Sequence, residues 1–372
     1  MRGLISAITS TLKKPKVNRR IRPCLIFFIL SIFCAAVNAE EPDKDYNMPS
    51  PFGVLEFLHW NHPWNNYKYS SKKELEKVVA LMKKAKVGWV RMDFLWAEIE
   101  PEAGNFSFAK YDEIVDLLSR NNLNILGILD YSADWAKSCP EWNCPPKENK
   151  LFADYAVRVI GRYKDRIKYW EVWNEPDAHT YWSQQDGLKS YCALLKEVYI
   201  AAKKADPDCK ILNGGLSGGL ASVNKLYDHG AKDYFDILNI HIFDSPLHKD
   251  SIKTVTAYPK LAHKIMSRNG DGHKKIWVTE IGCPGVKPEG TIANWWMGAN
   301  PSEAEQARWV RQVYTYLLRV PAVKKVFWAF FRDCQGHWAN GVDYFGLLRW
   351  DYSRKSSFKA YRECFNDWKK AK

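Results

Sequence analysis

The sequence predicts an α/β fold, a (β/α)8 barrel in which eight parallel strands alternate with eight helices. Eight short apolar runs alternate with eight amphipathic segments over about 320 residues. The runs are almost continuously apolar, as are strands buried on both faces of a parallel sheet. Eight strand–helix units are the number that closes a barrel of this kind.

The predicted strands are rich in Val, Ile, Leu and Phe, which favour extended structure. They are Phe52–Phe57, Gly88–Phe94, Leu123–Asp130, Ile167–Trp173, Cys209–Gly215, Phe235–Phe243, Lys274–Gly282 and Val323–Phe331. The first predicted helix, Ser71–Ala85, begins with Ser71 and Glu74 at the spacing of a capping box. The alternative is an open doubly wound sheet, which usually carries a glycine-rich loop after its first strand. The segment there, "EFLHWNHPW", contains no glycine, so we predict one barrel domain over residues 52–368.

The N-terminal residues predict a leader. Residues 1–39 carry seven Lys or Arg and no acid, and without them the formal net charge of +13 becomes +6. The 14-residue apolar run Cys24–Val37 is short for a membrane span. It is typical of a secretory signal cleaved near Ala39, and an uncleaved anchor is the alternative. We therefore expect a secreted or periplasmic protein, with a polar segment at 40–51, that contacts a membrane only if the leader is retained.

The composition also excludes some partners and cofactors. The remaining positive charge is scattered, without a basic stripe between aromatic residues, so we do not expect nucleic acid binding. Seven of the nine Cys lie outside the leader. Cys139 and Cys144 frame a short loop that a disulfide could close, and Cys283 and Cys334 follow neighbouring strands and form either a disulfide or two free thiols. Neither CxxC nor HExxH occurs, so neither a metal nor an organic cofactor is expected.

Two glutamates lie where the active site of a parallel barrel is found, at the carboxyl ends of the strands. The fourth predicted strand ends in Asn174-Glu175-Pro176, and the seventh ends in Glu280. Carboxylates in or after apolar strands are costly unless they are paired, hydrogen-bonded or used in chemistry. Two carboxylates across a cleft are the groups that hydrolyse glycosidic bonds, one as the acid and the other as nucleophile or base. We therefore predict that Glu175 and Glu280 are catalytic.

The motifs "WEVWNEPD" and "IWVTEIG" resemble the fourth- and seventh-strand signatures of the large clan of retaining (β/α)8 glycosidases. Within the clan, "VWNEPD" followed by Tyr181-Trp182 and then "ILNGGLSG" most closely resembles the β-xylosidase and α-L-iduronidase family, whereas the lack of accessory domains favours the cellulase-like families or an endo-acting relative. The resemblance covers nearly all of residues 52–368. It implies that Glu175 is the acid/base and Glu280 the nucleophile. It also implies substrate-site roles for Asn174, which would bind the sugar 2-hydroxyl, and for three further residues. These are Arg91 beside the nucleophile, His241 on the sixth strand and Trp328 beneath the sugar. Phe243 departs from the pattern, because many members carry Tyr there.

The aromatic content favours a sugar-binding role for the predicted rim. The chain has 17 Trp, and many of them fall in loops after the predicted strands, where their rings could stack on sugars. We select Trp135 and Trp296 as platforms; the alternative for each is that it packs its own loop.

We conclude that the sequence encodes a monomeric secreted glycosidase that acts on β-linked oligo- or polysaccharides through a covalent glycosyl-enzyme. A non-catalytic glycan-binding barrel and a cell-wall transglycosidase are the alternatives.

Overall fold

The computed structural model describes residues 50–184, 186–287, 297, 300–338 and 341–372. The predicted leader and nearly all of the polar segment at 40–51 lie outside these residues. Within the described ranges, no helix is both long and apolar enough to cross a bilayer.

Eight parallel strands close into a barrel in which each strand pairs with its neighbours in chain order and β8 pairs with β1. The strands are β1 (Phe52–Leu55), β2 (Trp89–Leu95), β3 (Asn124–Asp130), β4 (Tyr169–Val172), β5 (Lys210–Asn213), β6 (Ile237–His241), β7 (Lys275–Ile281) and β8 (Val323–Ala329). Each lies within or beside its predicted run, so the predicted barrel is confirmed and the open sheet is wrong.

Helices follow the strands around the outside of the barrel. They are α1 (Lys72–Ala85), α2 (Trp96–Ile99), α3 (Ala109–Arg120), α4 (Asn149–Tyr163), α5 (Leu188–Ala205), α6 (Gly219–Asp228), α7 (Ser251–Arg268), α8 (Glu303–Leu317) and α9 (Ser356–Lys370). Half of the predicted capping box at α1 is present. The Ser71 side chain accepts from the Glu74 amide, whereas the Glu74 carboxylate accepts from Ser70 instead.

Aromatic rings fill the lower half of the barrel interior. Trp89, Tyr169 and Trp277 pack against one another with ring centroids 4.9–5.3 Å apart. The ring of Phe327 occupies the space beside β1, where a Cβ on Gly53 would lie 2.3 Å from a ring carbon of Phe327. A side chain at residue 53 would overlap the Phe327 ring, so β1 requires glycine at that position.

Polar side chains replace the rings two residues further along the strands, as the period of a β-strand requires. Arg91 lies above Trp89, Glu171 above Tyr169 and Thr279 above Trp277. The register of β7 shifts between Val278 and Ile281. Such bulges re-aim side chains next to active sites. Here the shift allows Thr279 and its neighbour Glu280 both to reach groups at the top of the barrel.

Gly53→Ala tests how tightly the lower interior is packed. We expect the substitution to lower the free energy of unfolding by about 1–3 kcal/mol, because the added methyl group overlaps the Phe327 ring. The measurement is denaturant unfolding followed by near-ultraviolet circular dichroism. Gly161→Ala is the matched control: a Cβ there meets nothing within 4 Å, so this change in α4 stabilises by roughly 0.5–1 kcal/mol. Equal effects of the two changes would contradict the packing argument.

Candidate active site

A cleft of about 950 Å³ opens at the carboxyl ends of the strands. Four of the predicted site residues line it: Arg91, Asn174, Glu175 and Glu280. A fifth, His241, is buried directly beneath two of them. The structure therefore brings together five of the eight site residues that the sequence predicted.

Arg91 is the centre of the site. It is 1% exposed, and its Nε and Nη2 donate to the two carboxylate oxygens of Glu171 at 2.7 and 2.8 Å. Its Nη1 donates to Glu280 Oε1 at 2.6 Å, and Nη2 also donates to Asn174 Oδ1 at 2.8 Å. Burial alone would lower the pKa of Arg91, but Glu171 and then Glu280 hold it above its ordinary value. One cation therefore fixes the orientation of three side chains.

Glu175 lies on a tight turn directly after β4. Trp173 and Glu175 have φ of 68° and 43°, in the left-handed region that residues other than glycine rarely adopt. The Trp173 indole donates to Tyr181 O at 2.8 Å, which fastens the turn to the following loop. Backbone held in such conformations concentrates at functional sites. The turn directs the Glu175 carboxyl into the cleft.

His241 joins the two predicted catalytic acids. Its Nδ1 lies 2.7 Å from Glu175 Oε1, and its Nε2 lies 3.8 Å from Glu280 Oε1. The Thr279 hydroxyl donates to Asn239 Oδ1, so it accepts from His241 Nε2–H at 3.1 Å. Nδ1 and the Glu175 carboxyl then share a single proton between them. Oxygen atoms of Glu175 and Glu280 lie within 4.8 Å of each other.

The surroundings of Glu175 favour its protonated form. Burial raises the pKa of Glu175, and the charge of Glu280 acts in the same direction, whereas the hydrogen bond and charge of His241 oppose the shift. The pKa of His241 is also raised: burial lowers it, but the charge of Glu280 and the hydrogen bond that protonated His241 donates to Glu175 outweigh burial. The site therefore holds a proton next to an arginine-bound carboxylate, as an acid and a nucleophile require.

Glu175, His241 and Glu280 also have the spacing of metal ligands. The donor set does not fit a cation, however, because the Arg91 guanidinium already contacts Glu280 and would repel a second positive charge. Cys139, Glu141 and Cys144 have a similar spacing, but the two thiols are joined to each other.

Two of the tryptophans predicted to contact the sugar, Trp328 and the platform Trp135, do not line the cleft. Trp328 is fully buried and its indole donates to Phe345 O at 2.8 Å. It faces the helices because Ala329, its neighbour on the strand, takes the cleft-facing position. Trp135 donates to Glu100 O and lines a separate groove beside α4. Trp296 lies outside the described residues.

Other aromatic residues line the cleft in two groups. One group lies on loops after β1 and β8, and the other on loops after β3 and β4. The first comprises Phe57, Trp64, Phe330, Trp338 and Phe345, and the second Tyr131, Trp142 and Tyr181. Phe243, the departure from the clan pattern, also faces the cleft. Trp64 and Trp338 are among the tryptophans that follow predicted strands in the sequence, but the sequence could not rank them, because the direction of a ring depends on loop geometry.

Three buried acids were missed by sequence reasoning. Glu171 accepts from Arg91 and also from the Gly215 amide at 2.9 Å. Asp93 Oδ2 and both carboxylate oxygens of Asp130 are buried without a hydrogen-bond donor, and each of the two acids acts on the pKa of the other. A single proton shared between the two carboxyl groups would satisfy these oxygens. The signal was present in the sequence: each is a charged residue at an inward position of an apolar strand. Such a residue needs a partner inside the barrel.

Of the two cysteine pairs considered from the sequence, one is joined by a disulfide and the other is not. A disulfide joins Cys139 and Cys144, whose Cα atoms lie 5.6 Å apart, as predicted. The disulfide between Cys283 and Cys334 is wrong, since both are buried free thiols. Cys283 packs with the residues between barrel and helices, whereas Cys334 packs with the aromatic residues beside β1 and β8. The two strand ends are neighbours, but the side chains lie in different clusters.

Comparison with protein families identifies the class to which this fold and site belong. The family model described as the glycosyl hydrolase catalytic core matches residues 142–346, more than half of the chain. The chain therefore belongs to the glycosyl hydrolase catalytic core family. A second model, described as β-galactosidase of glycosyl hydrolase family 42, matches residues 65–142.

Curated relatives match a part of the chain. A β-1,4-xylanase of Dictyoglomus thermophilum is 25% identical over 123 residues, which cover 31% of this chain and 34% of that protein. Endo-1,4-β-xylanase 2 of Claviceps purpurea is 33% identical over 124 residues, covering 30% and 35% respectively. The chain thus spans about a third of the length of these relatives.

Solved structures share the fold over most of the chain. A family 39 glycoside hydrolase of Bacteroides cellulosilyticus superposes with a TM-score of 0.65 at 24% identity, covering 85% of this chain and 63% of that one. A monomeric β-xylosidase of Caulobacter crescentus gives a TM-score of 0.62 at 15% identity, covering 84% and 67%. At these identities the similarity establishes the barrel fold.

Asp130→Asn tests the shared proton between Asp93 and Asp130. Burial raises the pKa of Asp93 to about 6 and that of Asp130 well above 3.8. A raised folded-state pKa gives stability that is complete below about pH 4 and is lost as the pH rises, through about 6 for Asp93 and through its own raised pKa for Asp130. An amide cannot ionise. The variant should therefore match the wild type at pH 4 and melt about 2–4 °C higher at pH 8, by calorimetry.

The control for this change is Asp134→Asn, on the loop after β3, where the side chain is 87% exposed and pairs with Lys137. It should leave the pH dependence of melting unchanged. A Tm for Asp130→Asn that falls equally at both pH values would show that the carboxylate is bound as an anion, contrary to a shared proton.

Proposed function

We propose that the protein hydrolyses O-glycosidic bonds of β-linked oligo- or polysaccharides with retention of configuration at the anomeric carbon. The observation that carries the proposal is the approach of Glu175 and Glu280 to within 4.8 Å, with a proton source at one and a guanidinium at the other. Retaining glycosidases place their carboxyl groups about 5–5.5 Å apart, whereas inverting enzymes leave room for a water molecule between them.

In the first step Glu280 attacks the anomeric carbon and Glu175 gives its proton to the glycosidic oxygen. The bond between the anomeric carbon and that oxygen breaks, the leaving alcohol takes the proton, and a glycosyl ester forms on Glu280. Arg91 supports this step because it holds the Glu280 carboxylate in a fixed direction at 2.6 Å. The pKa of Glu175 is raised, first by burial and also by the charge of Glu280, and this favours the protonated form that gives up the proton.

In the second step Glu175 changes from a proton donor to a proton acceptor. Esterification removes the negative charge of Glu280, which is one of the influences that raise the pKa of Glu175. Glu175 is then a carboxylate that takes a proton from water as the water attacks the anomeric carbon. The ester bond breaks, Glu280 returns to its ionised form, and the sugar leaves with its original configuration.

The remaining residues position the two acids and the sugar. Asn174, held by Arg91 at 2.8 Å, is next to Glu175 in the chain, and its amide NH2 group is directed to a hydroxyl of the bound sugar. His241 carries no reacting atom; it orients the Glu175 carboxyl and sets its pKa. We assign β-xylan and xylooligosaccharides as the first substrate class to test, because the curated relatives are named xylanases.

We further propose that the protein is exported and acts as a monomer. The apolar run after a basic leader supports export, and the disulfide between Cys139 and Cys144 is of a kind that persists in oxidising compartments.

Glu280→Gln and Glu175→Gln test the catalytic roles. Turnover of xylan, β-glucan, mannan and β-linked oligosaccharides by the full chain is measured by reducing-sugar release. We expect Glu280→Gln to lose at least about 10³-fold in kcat because no nucleophile remains. Glu175→Gln should lose about 10²–10⁴-fold on oligosaccharides. On aryl glycosides, whose leaving groups need little protonation, the rate of the first step should fall far less in Glu175→Gln.

The stereochemistry of the product provides the decisive control. Proton NMR of the first product formed from a β-glycoside should show the β-anomer before mutarotation. The α-anomer would contradict the retaining mechanism. Binding of a glycan with no turnover, equal in wild type and variants, would favour the non-catalytic barrel. Transfer to an added sugar in place of water would favour the transglycosidase.

His241→Ala tests how the pKa of Glu175 is set. His241 lowers that pKa through its hydrogen bond and charge, so its removal raises the pKa further. Because the first step needs protonated Glu175, the high-pH limb of kcat/KM should move to higher pH in the variant. The control is His248→Ala, a rim histidine that contacts Asp244 at 3.1 Å; its profile should match the wild type. An unshifted limb in His241→Ala would contradict the assignment.

A further inference from the structure

We propose that Trp142 is the platform for the sugar on the leaving-group side of the scissile bond, and that the disulfide between Cys139 and Cys144 holds it in place. This inference rests on the proposed function, whose substrate-binding side it specifies. Trp142 takes no part in the proposed catalytic steps or in the packing of the barrel core.

Trp142 lies at the tip of a small two-stranded loop after β3. Lys137 and Pro146 form an isolated antiparallel bridge. Ser138 N donates to Pro145 O at 2.9 Å, and Lys147 N donates to Ala136 O at 2.8 Å. The disulfide closes the tip beyond these hydrogen bonds. The loop is therefore braced at its base and closed at its end, with Trp142 inside the closed segment.

The tip is also tied to the loop that follows Glu175. The Asn143 side-chain amide donates to His179 O at 3.1 Å and to Thr180 O at 3.0 Å. In return Ser183 N donates to Asn143 O at 3.2 Å. Trp142 is thus fixed relative to the element that carries the proton donor.

The ring of Trp142 is available to a ligand. It is 54% exposed and lines the cleft. Tyr131 and Tyr181 meet it in edge-to-face contacts, at centroid distances of 5.1 and 5.9 Å and interplanar angles of 86° and 80°. A large aromatic ring that is held by its neighbours and faces a cleft is typical of a surface that stacks on a sugar.

The position of Glu175 decides which sugar this is. Glu175 gives its proton to the glycosidic oxygen, so the leaving group departs on the Glu175 side of the cleft. The loops after β3 and β4, with Trp142 and Tyr181, border that side. The other aromatic group, with Phe330 and Trp338, belongs to β8, the neighbour of the strand that carries Glu280. It therefore borders the sugar that becomes attached to the enzyme.

Two substrates with the same attached sugar separate the two sides. One is a β-linked oligosaccharide, which has a sugar as its leaving group; the other is the corresponding β-glycosyl fluoride, whose leaving group has no ring. In the full chain, Trp142→Ala should lower kcat/KM for the oligosaccharide about two- to tenfold and leave the fluoride unchanged. Trp142→Phe should retain most of the oligosaccharide activity. Trp338→Ala, on the opposite wall, should lower kcat/KM for both substrates.

The disulfide is tested in the same assay. A Cys139→Ser, Cys144→Ser double variant should reproduce the loss seen in Trp142→Ala on the oligosaccharide and spare the fluoride. Adding Trp142→Ala to the double variant should cost nothing more. A double variant that keeps full oligosaccharide activity would overturn the role of the disulfide, and equal loss on both substrates would show damage to the whole site.

Failure of the platform differs from failure of the proposed function. If wild type hydrolyses the oligosaccharide and Trp142→Ala does so equally well, the platform is overturned and the function stands. If wild type turns over neither substrate, the function fails. Calorimetric binding of the oligosaccharide to Glu280→Gln, with and without Trp142→Ala, then decides whether Trp142 stacks on the glycan: unchanged affinity overturns the platform, and weaker binding supports the stacking contact but not its place beside a leaving group.

Discussion

The upper half of the barrel depends on the buried guanidinium of Arg91. A cation with 1% exposure loses its hydration, and this cost is offset only if every donor has a well-placed acceptor. Glu171 provides two oxygens in the planar, paired geometry that guanidinium matches best. The remaining donors then have fixed directions, toward Glu280 and Asn174. The orientation of Glu280, the proposed nucleophile, is therefore set by the ion pair that Arg91 forms with a third residue, Glu171.

The buried ion pair of Arg91 also explains why the barrel interior has an aromatic lower half and a polar upper half. Rings such as Trp89 and Tyr169 fill the lower barrel and exclude water from beneath the ion pair. Exclusion of water strengthens the attraction between Arg91 and its partners. Above them the β7 bulge allows Thr279 and Glu280 to act on the same histidine and arginine network. The aromatic rings of the lower barrel and the polar network above them therefore support each other.

The fold and the two acids could be predicted from sequence because their signals are local. Alternating apolar runs mark the strands, and Glu175 and Glu280 stand at strand ends within specific motifs. Trp328 and Trp135 were misassigned because side-chain direction depends on the register of β8 and on the hydrogen bond to Glu100. The partner of Arg91 was missed because Glu171 lies on another strand, and only the closed barrel brings the two together.

Gly215 extends these constraints to a position with no side chain. Its amide donates to Glu171 at 2.9 Å, and a Cβ there would lie 1.9 Å from His241 Nε2. Any larger residue would displace the histidine from Glu175 while leaving both acids in the sequence. Among related chains, the proposed catalytic pair of glutamates is therefore an incomplete marker of an active enzyme. A search for inactive members of the family should therefore also ask whether glycine is present at the position of Gly215, two residues after β5.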